Sequence, residues 1–181
     1  MITPDEKTLL LYIREARAGE DRLSTVLKAR DLASGEEREI FGAPVEDASL
    51  SGFSSLSPDG TTVAAWHGPG TEAWARLFTV PLDGGEPREI PTAEGVKLGY
   101  QVVWTPDQRF LITTRPDDPD DASNAVRHVV RVNVETGEVQ DLGLSGRSIL
   151  YLRLSPDGRQ LAYVAGSESY EVWVMESFLP G

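Results

Sequence analysis

Four carboxylates crowd into the five positions Asp117-Asp118-Pro119-Asp120-Asp121. On a loop, such side chains supply the oxygen ligands that calcium takes. The spacing matches no EF-hand loop and the segment holds no glycine, so a solvated connector between two strands explains it better. If a metal binds, Asp117, Asp118, Asp120 and Asp121 are its expected ligands. The chain has no cysteine, which excludes disulfides and thiolate metal sites. No segment calls for a cofactor. Gly68-Pro69-Gly70 and Gly84-Gly85 read as turns and lack the helix start that a phosphate loop needs.

The two histidines, His67 and His128, are the natural general bases. Neither belongs to a Gly-x-Ser-x-Gly elbow or a His-Glu-x-x-His helix, and no nucleophile is recognisable beside them. His128 reads as a half-buried strand residue. The tryptophans Trp66, Trp74, Trp104 and Trp173 suggest carbohydrate stacking at first sight. Trp104 and Trp173 alternate with aliphatic residues, so packing is the better reading. Trp74 adjoins a loop and is expected at the surface, where it forms an expected contact set with His67 and Tyr170.

One aspartate recurs. Thr3-Pro4-Asp5-Glu6, Ser57-Pro58-Asp59-Gly60, Thr105-Pro106-Asp107-Gln108 and Ser155-Pro156-Asp157-Gly158 are copies of one turn, their prolines 54, 48 and 50 residues apart. A local role explains the repeated aspartate better than a metal does, because its carboxylate can accept nearby backbone N–H groups. Pro58, Pro106 and Pro156 preset the dihedral of the second turn position, and Gly60 and Gly158 suit the fourth. A second turn recurs at Ser34-Gly35-Glu36, Gly84-Gly85-Glu86 and Thr136-Gly137-Glu138, each with a glycine where a tight reversal needs positive φ.

A period near fifty residues marks a repeat architecture. In the third repeat, residues 100–104 read as a first strand, with Tyr100, Val102 and Trp104 on one face. Residues 109–114, 126–134 and 139–142 follow as strands two to four. Strand, turn, strand, loop, strand, turn, strand is a four-stranded meander, the blade of a β-propeller. Only residues 15–33 look helical by composition; the repeat places a strand at 24–32 instead. The expected fold is all-β, with four blades at about residues 1–44, 50–92, 98–144 and 148–181. The first repeat begins at its turn and is expected to lack a first strand. The last has strands at 149–154, 160–165 and 171–176 and no fourth. The favoured reading is part of a larger ring; the alternatives are an imperfectly closed four-bladed ring and a half-ring that closes as a homodimer.

The pattern Ser-Pro-Asp-Gly-x-x-Leu-Ala-Tyr at residues 155–163 resembles the propeller repeat of TolB-like proteins, also called WD40-like. Residues 57–65 keep most of it, with Val63 for the leucine. Residues 105–113 and 3–11 keep Pro-Asp and the apolar position. The Gly-His and Trp-Asp dipeptides of true WD40 repeats are absent. The C-terminal residues 171–180 look like the end of propeller domains that close larger bacterial proteins. The resemblance implies a protein-binding platform, often periplasmic or otherwise extracytoplasmic.

The net charge of −12 opposes binding to nucleic acid backbones or anionic membrane surfaces. No apolar run approaches the ~20 residues of a membrane span, and no signal peptide opens the sequence. The leading expectation is a non-catalytic module that binds a protein partner or senses a ligand through the loops of one rim. These are residues 15–21, 68–73, 115–125 and 166–170. The alternatives are the gating propeller of a prolyl-oligopeptidase-like peptidase, and a metal-dependent propeller lactonase or lyase. The last needs inward acidic or histidine ligands near the axis, where the first strands offer Leu150, Leu152 and Leu154, and Val102 and Trp104, which are apolar.

Overall fold

The computed structural model describes residues 1–16, 23–42, 54–67, 76–99, 101–118 and 126–166. They form thirteen antiparallel strands. The first sheet holds β1 (Thr8–Ala16), β2 (Leu23–Asp31) and β3 (Glu37–Gly42). The second holds β4 (Ser55–Leu56), β5 (Thr62–His67), β6 (Arg76–Pro81) and β7 (Arg88–Glu89). The third holds β8 (Val103–Trp104), β9 (Phe110–Pro116), β10 (Val126–Asn133) and β11 (Val139–Arg147). The fourth pairs β12 (Leu150–Leu154) with β13 (Leu161–Val164). In every sheet the strands lie side by side in chain order, the meander of a propeller blade. None of the described residues is helical, and none forms a helix long and apolar enough to cross a membrane.

The helix-like composition of residues 15–33 loses to pairing: β2 is bonded on both sides, by β1 and β3. The first blade also differs from expectation. Met1 and Ile2 run beside β1, with Ile2 bridged to Leu9 and Leu10 N–H donating to Met1 O at 2.7 Å. They supply a stub of the inner strand that the sequence seemed to omit. In the third blade the outer strand runs past Leu142 to Arg147, because the chain passes through Gly143 (φ 75°) without reversing. The expected third strand of the last blade lies outside the described residues.

Apolar residues do not gather in one core. Leu10, Leu27 and Ala29 of the first blade meet Val63, Ala65, Val80 and Leu82 of the second. Ala64, Trp66, Leu77 and Ile90 of the second meet Trp104, Leu111, Val130 and Val132 of the third. Ile112 and Val129 meet Ile149 and Leu152 of the fourth. An inner blade is therefore apolar on both faces, and β5 buries Val63, Ala64, Ala65 and Trp66 in succession. In β10 consecutive valines point to opposite faces, so Val129 packs toward the fourth blade and Val130 toward the second; the bulge opposite them lies in β11, at Leu142 and Gly143. Among the described residues each apolar cluster joins two successive blades, so stability is read as a chain of interfaces.

Candidate functional site

Each repeated turn is built the same way. The Ser or Thr hydroxyl donates to the aspartate Oδ1 at 2.6 Å in Thr3–Asp5, Ser57–Asp59, Thr105–Asp107 and Ser155–Asp157. The same Oδ1 accepts the backbone N–H two residues on, from Lys7, Thr61, Arg109 and Arg159 at 3.0–3.2 Å. The hydroxyl oxygen accepts a further N–H, from Thr8, Thr62, Phe110 and Gln160. These bonds favour the ionised carboxylate, and the hydroxyl donor is the largest cause holding all four aspartates below the ordinary value of 3.8.

The turns also contact one another. A Cβ on Gly60 would stand 2.5 Å from Pro4 Cδ, and one on Gly158 would stand 3.1 Å from Pro106 Cδ. Between those pairs, the Gln108 amide nitrogen faces Asp59, 3.0 Å from Oδ2. Turns of successive blades therefore nest along one rim. The fourth turn position has positive φ in all four copies, at Glu6, Gly60, Gln108 and Gly158. Glycine is required where the neighbouring proline sits against it.

A stability prediction follows from the lowered acidities. A carboxylate whose folded pKa is depressed stabilises above its unfolded value and loses that contribution as pH falls through the folded one. Thermal melts should hold steady down to about pH 4 and fall progressively below it. Asp59→Ala should cost about 1 kcal/mol at neutral pH, by analogy with capping residues. It should also flatten the acid limb, and an unchanged limb would remove Asp59 from the account.

His128 lies on the face of the third blade, between two carboxylates. Its Nδ1 is 3.1 Å from Asp141 Oδ2 and its Nε2 is 3.4 Å from Asp117 Oδ1. Arg115 Nη2 stands 4.0 Å from the same Asp141 oxygen. The two nitrogens point away from each other, so one ion could not touch all three side chains. Each nitrogen thus faces a carboxylate rather than open space. Among the described residues no group of three His, Cys, Asp or Glu is placed to hold a metal. Asp117 and Asp118 are exposed at the end of β9, while Asp120 and Asp121 lie outside the described residues. Trp74 and Tyr170 lie outside them too, and of His67 only the backbone, paired with Arg76, is described.

The feature that sequence reading missed is axial. A cavity of about 280 Å³ is lined by the innermost segment of every blade: Met1, residues 54–56, residues 101–103, and Leu152 with Arg153. Inner strands are short here and leave polar residues at their starts. Gln101 is only 8% exposed, and its Oε1 accepts the Leu152 backbone N–H at 3.1 Å, tying the third blade to the fourth. Ser55 ties the second to the third: its carbonyl accepts Trp104 Nε1–H at 3.0 Å. Beside Ser54 the Tyr12 hydroxyl is buried without a hydrogen bond of ordinary geometry, and burial pushes its pKa up to about 12. Val102 and Leu152 line the cavity, and Gln101, Ser55 and Arg153 add polar groups beside them; the described lining holds no acidic or histidine side chain.

A larger groove of about 500 Å³ opens between the third and fourth blades. Phe110, Ile112, Leu154 and Leu161 line it, and Arg131 lies 4.4 Å over the Phe110 ring. It continues the apolar packing between these blades, and its polar lining, Thr105, Asp107, Asp157 and Arg159, belongs to the repeated turns.

Blades in chain order, cores between blades and a cavity at their inner edges identify the architecture. TolB from Acinetobacter baumannii superposes with a TM-score of 0.66 at 21% identity, over 91% of this chain and 36% of that one. The fold is that of TolB-like β-propellers. A prolyl endopeptidase structure matches with a TM-score of 0.57 at 23% identity, over 88% of this chain and 26% of that one. A chain of a nidogen–laminin complex matches with a TM-score of 0.53 at 17% identity, over 78% of this chain and 49% of that one. This chain thus spans about a third of the TolB length and less than half of the other two. No family model matches it, and no curated protein sequence does.

Proposed function

We propose that this chain is a non-catalytic propeller module that binds a partner or a small ligand at the inner ends of its blades. The carrying observation is the axial cavity, where all four blades contribute one segment to one concave, partly polar surface. Propellers place ligands where inner strands converge because only there do all blades reach a single molecule. The likeness to a chain from a nidogen–laminin complex supports a protein partner in general terms. No recognisable nucleophile elbow accompanies His128, whose ring lies between Asp117 and Asp141.

The purified chain should hydrolyse p-nitrophenyl esters, lactones and proline-containing peptides no faster than buffer. A photo-crosslinker replacing Tyr151, exposed on the inner strand of the fourth blade, should give one discrete adduct that excess unlabelled chain suppresses. Hydrolysis abolished by substitution of a cavity residue would overturn the reading. A second reading, the gate of a peptidase, draws support from the prolyl endopeptidase likeness. It predicts that the same adduct forms with a hydrolase domain.

A further inference from the structure

The axial cavity has a chemical bias. Leu152 N–H fixes the Gln101 amide with its oxygen toward the backbone, which leaves both Nε2 hydrogens for the cavity wall. No acceptor among the described residues takes them. Arg153 uses Nη1 on the Leu152 carbonyl at 2.9 Å, and no described residue makes an ion pair with it. The Ser55 hydroxyl oxygen accepts Trp104 N–H at 3.4 Å, which leaves its own hydrogen to donate. The described lining contains no carboxylate, although 29 of the chain's residues are Asp or Glu. Gln101 Nε2 is not sealed off without a partner, so its hydrogens face the open space of the cavity, where a ligand can accept them.

We infer that the axial cavity is a carboxylate-binding site, with Arg153 and the Gln101 amide as paired donors and Ser55 as a third. Resting on the reading of the chain as a binding module, this names the ligand chemistry of the same cavity. A carboxylate fits because it accepts from several donors at once and neutralises the guanidinium. The volume of about 280 Å³ suits a small acid or the end of a peptide rather than a larger ligand. Phosphate would carry more charge than one guanidinium balances.

The test is an amide-resolved NMR titration of the whole chain with succinate, and separately with a tripeptide ending in a free carboxylate. Succinamide and the amidated tripeptide serve as neutral counterparts. The expected result is saturable shifts at Gln101, Leu152 and Arg153 for the acids and none for the amides. Arg153→Met should weaken the binding about tenfold, in line with the loss of a charge-assisted pair. Arg153 is exposed, so this variant should fold; Gln101→Leu is the second variant, checked for folding by its melt. Tighter binding of the tripeptide would assign the carboxylate to a protein terminus, and tighter binding of succinate to a free acid; either supports the site. No shifts, equal shifts from acids and amides, or shifts only outside the cavity would overturn it. If that happens while the Tyr151 adduct still forms, the carboxylate inference fails and the binding module stands. Detected hydrolysis would instead remove the module reading.

Discussion

Gly137→Ala should be among the most destabilising single substitutions in this protein. Gly137 has φ 70° and is buried in the second turn of the third blade. A Cβ there would lie 2.8 Å from Thr92 N and nearer still to the Pro91 carbonyl. Both obstacles are backbone, so no rotamer change relieves them. The left-handed conformation costs a non-glycine residue about 1–2 kcal/mol, and forced overpacking adds about 1–3 kcal/mol. Gly95→Ala provides the control: its φ is 79°, and a Cβ there would meet nothing within 4 Å. Urea titrations of the two variants should differ by the steric part alone. Equal losses would mean that the connection at Pro91 and Thr92 yields to the added methyl.

The second large effect is at Trp104. Its ring is 7% exposed within the core shared by the second and third blades, and its Nε1–H reaches across to Ser55 O. Trp104→Ala should cost about 3–5 kcal/mol. Trp104→Phe keeps most of the buried area, strands the Ser55 carbonyl and should cost about 1–2 kcal/mol. The damage should stay local, because each interface holds its own core. Hydrogen exchange should accelerate in β5 and β9 while Leu10 and Leu27, packed between the first two blades, keep their protection. Uniform acceleration across all blades would contradict the chain-of-interfaces description. It would make the segment a single cooperative unit.

Much of the fold was legible because its signals are local. Each Ser/Thr-Pro-Asp turn closes within five residues, on hydrogen bonds among its own side chains and backbone, so four spaced copies announce four blades. The second turns are equally local, with one adjustment: in the second blade the positive φ falls on Gly84, not on Gly85. Strand faces were harder. Alternation implies one buried face, whereas β5 and β10 are packed on both sides, and only the neighbouring blades decide that.

The sequence by itself determined the repeat, the meander within each blade, the absence of thiol chemistry and the acidic character. Each follows from composition or from residues a few positions apart. The tertiary structure alone decided what blades do to one another. It set Pro4 against Gly60, placed His128 between Asp117 and Asp141, and turned Met1 and Ile2 into an inner-strand stub. It also brought Gln101 beside Leu152, 51 residues on, at the wall of a cavity that four separate segments share. No single repeat encodes that cavity, because its walls come from one short stretch of each blade and its shape depends on the angle at which the blades stack.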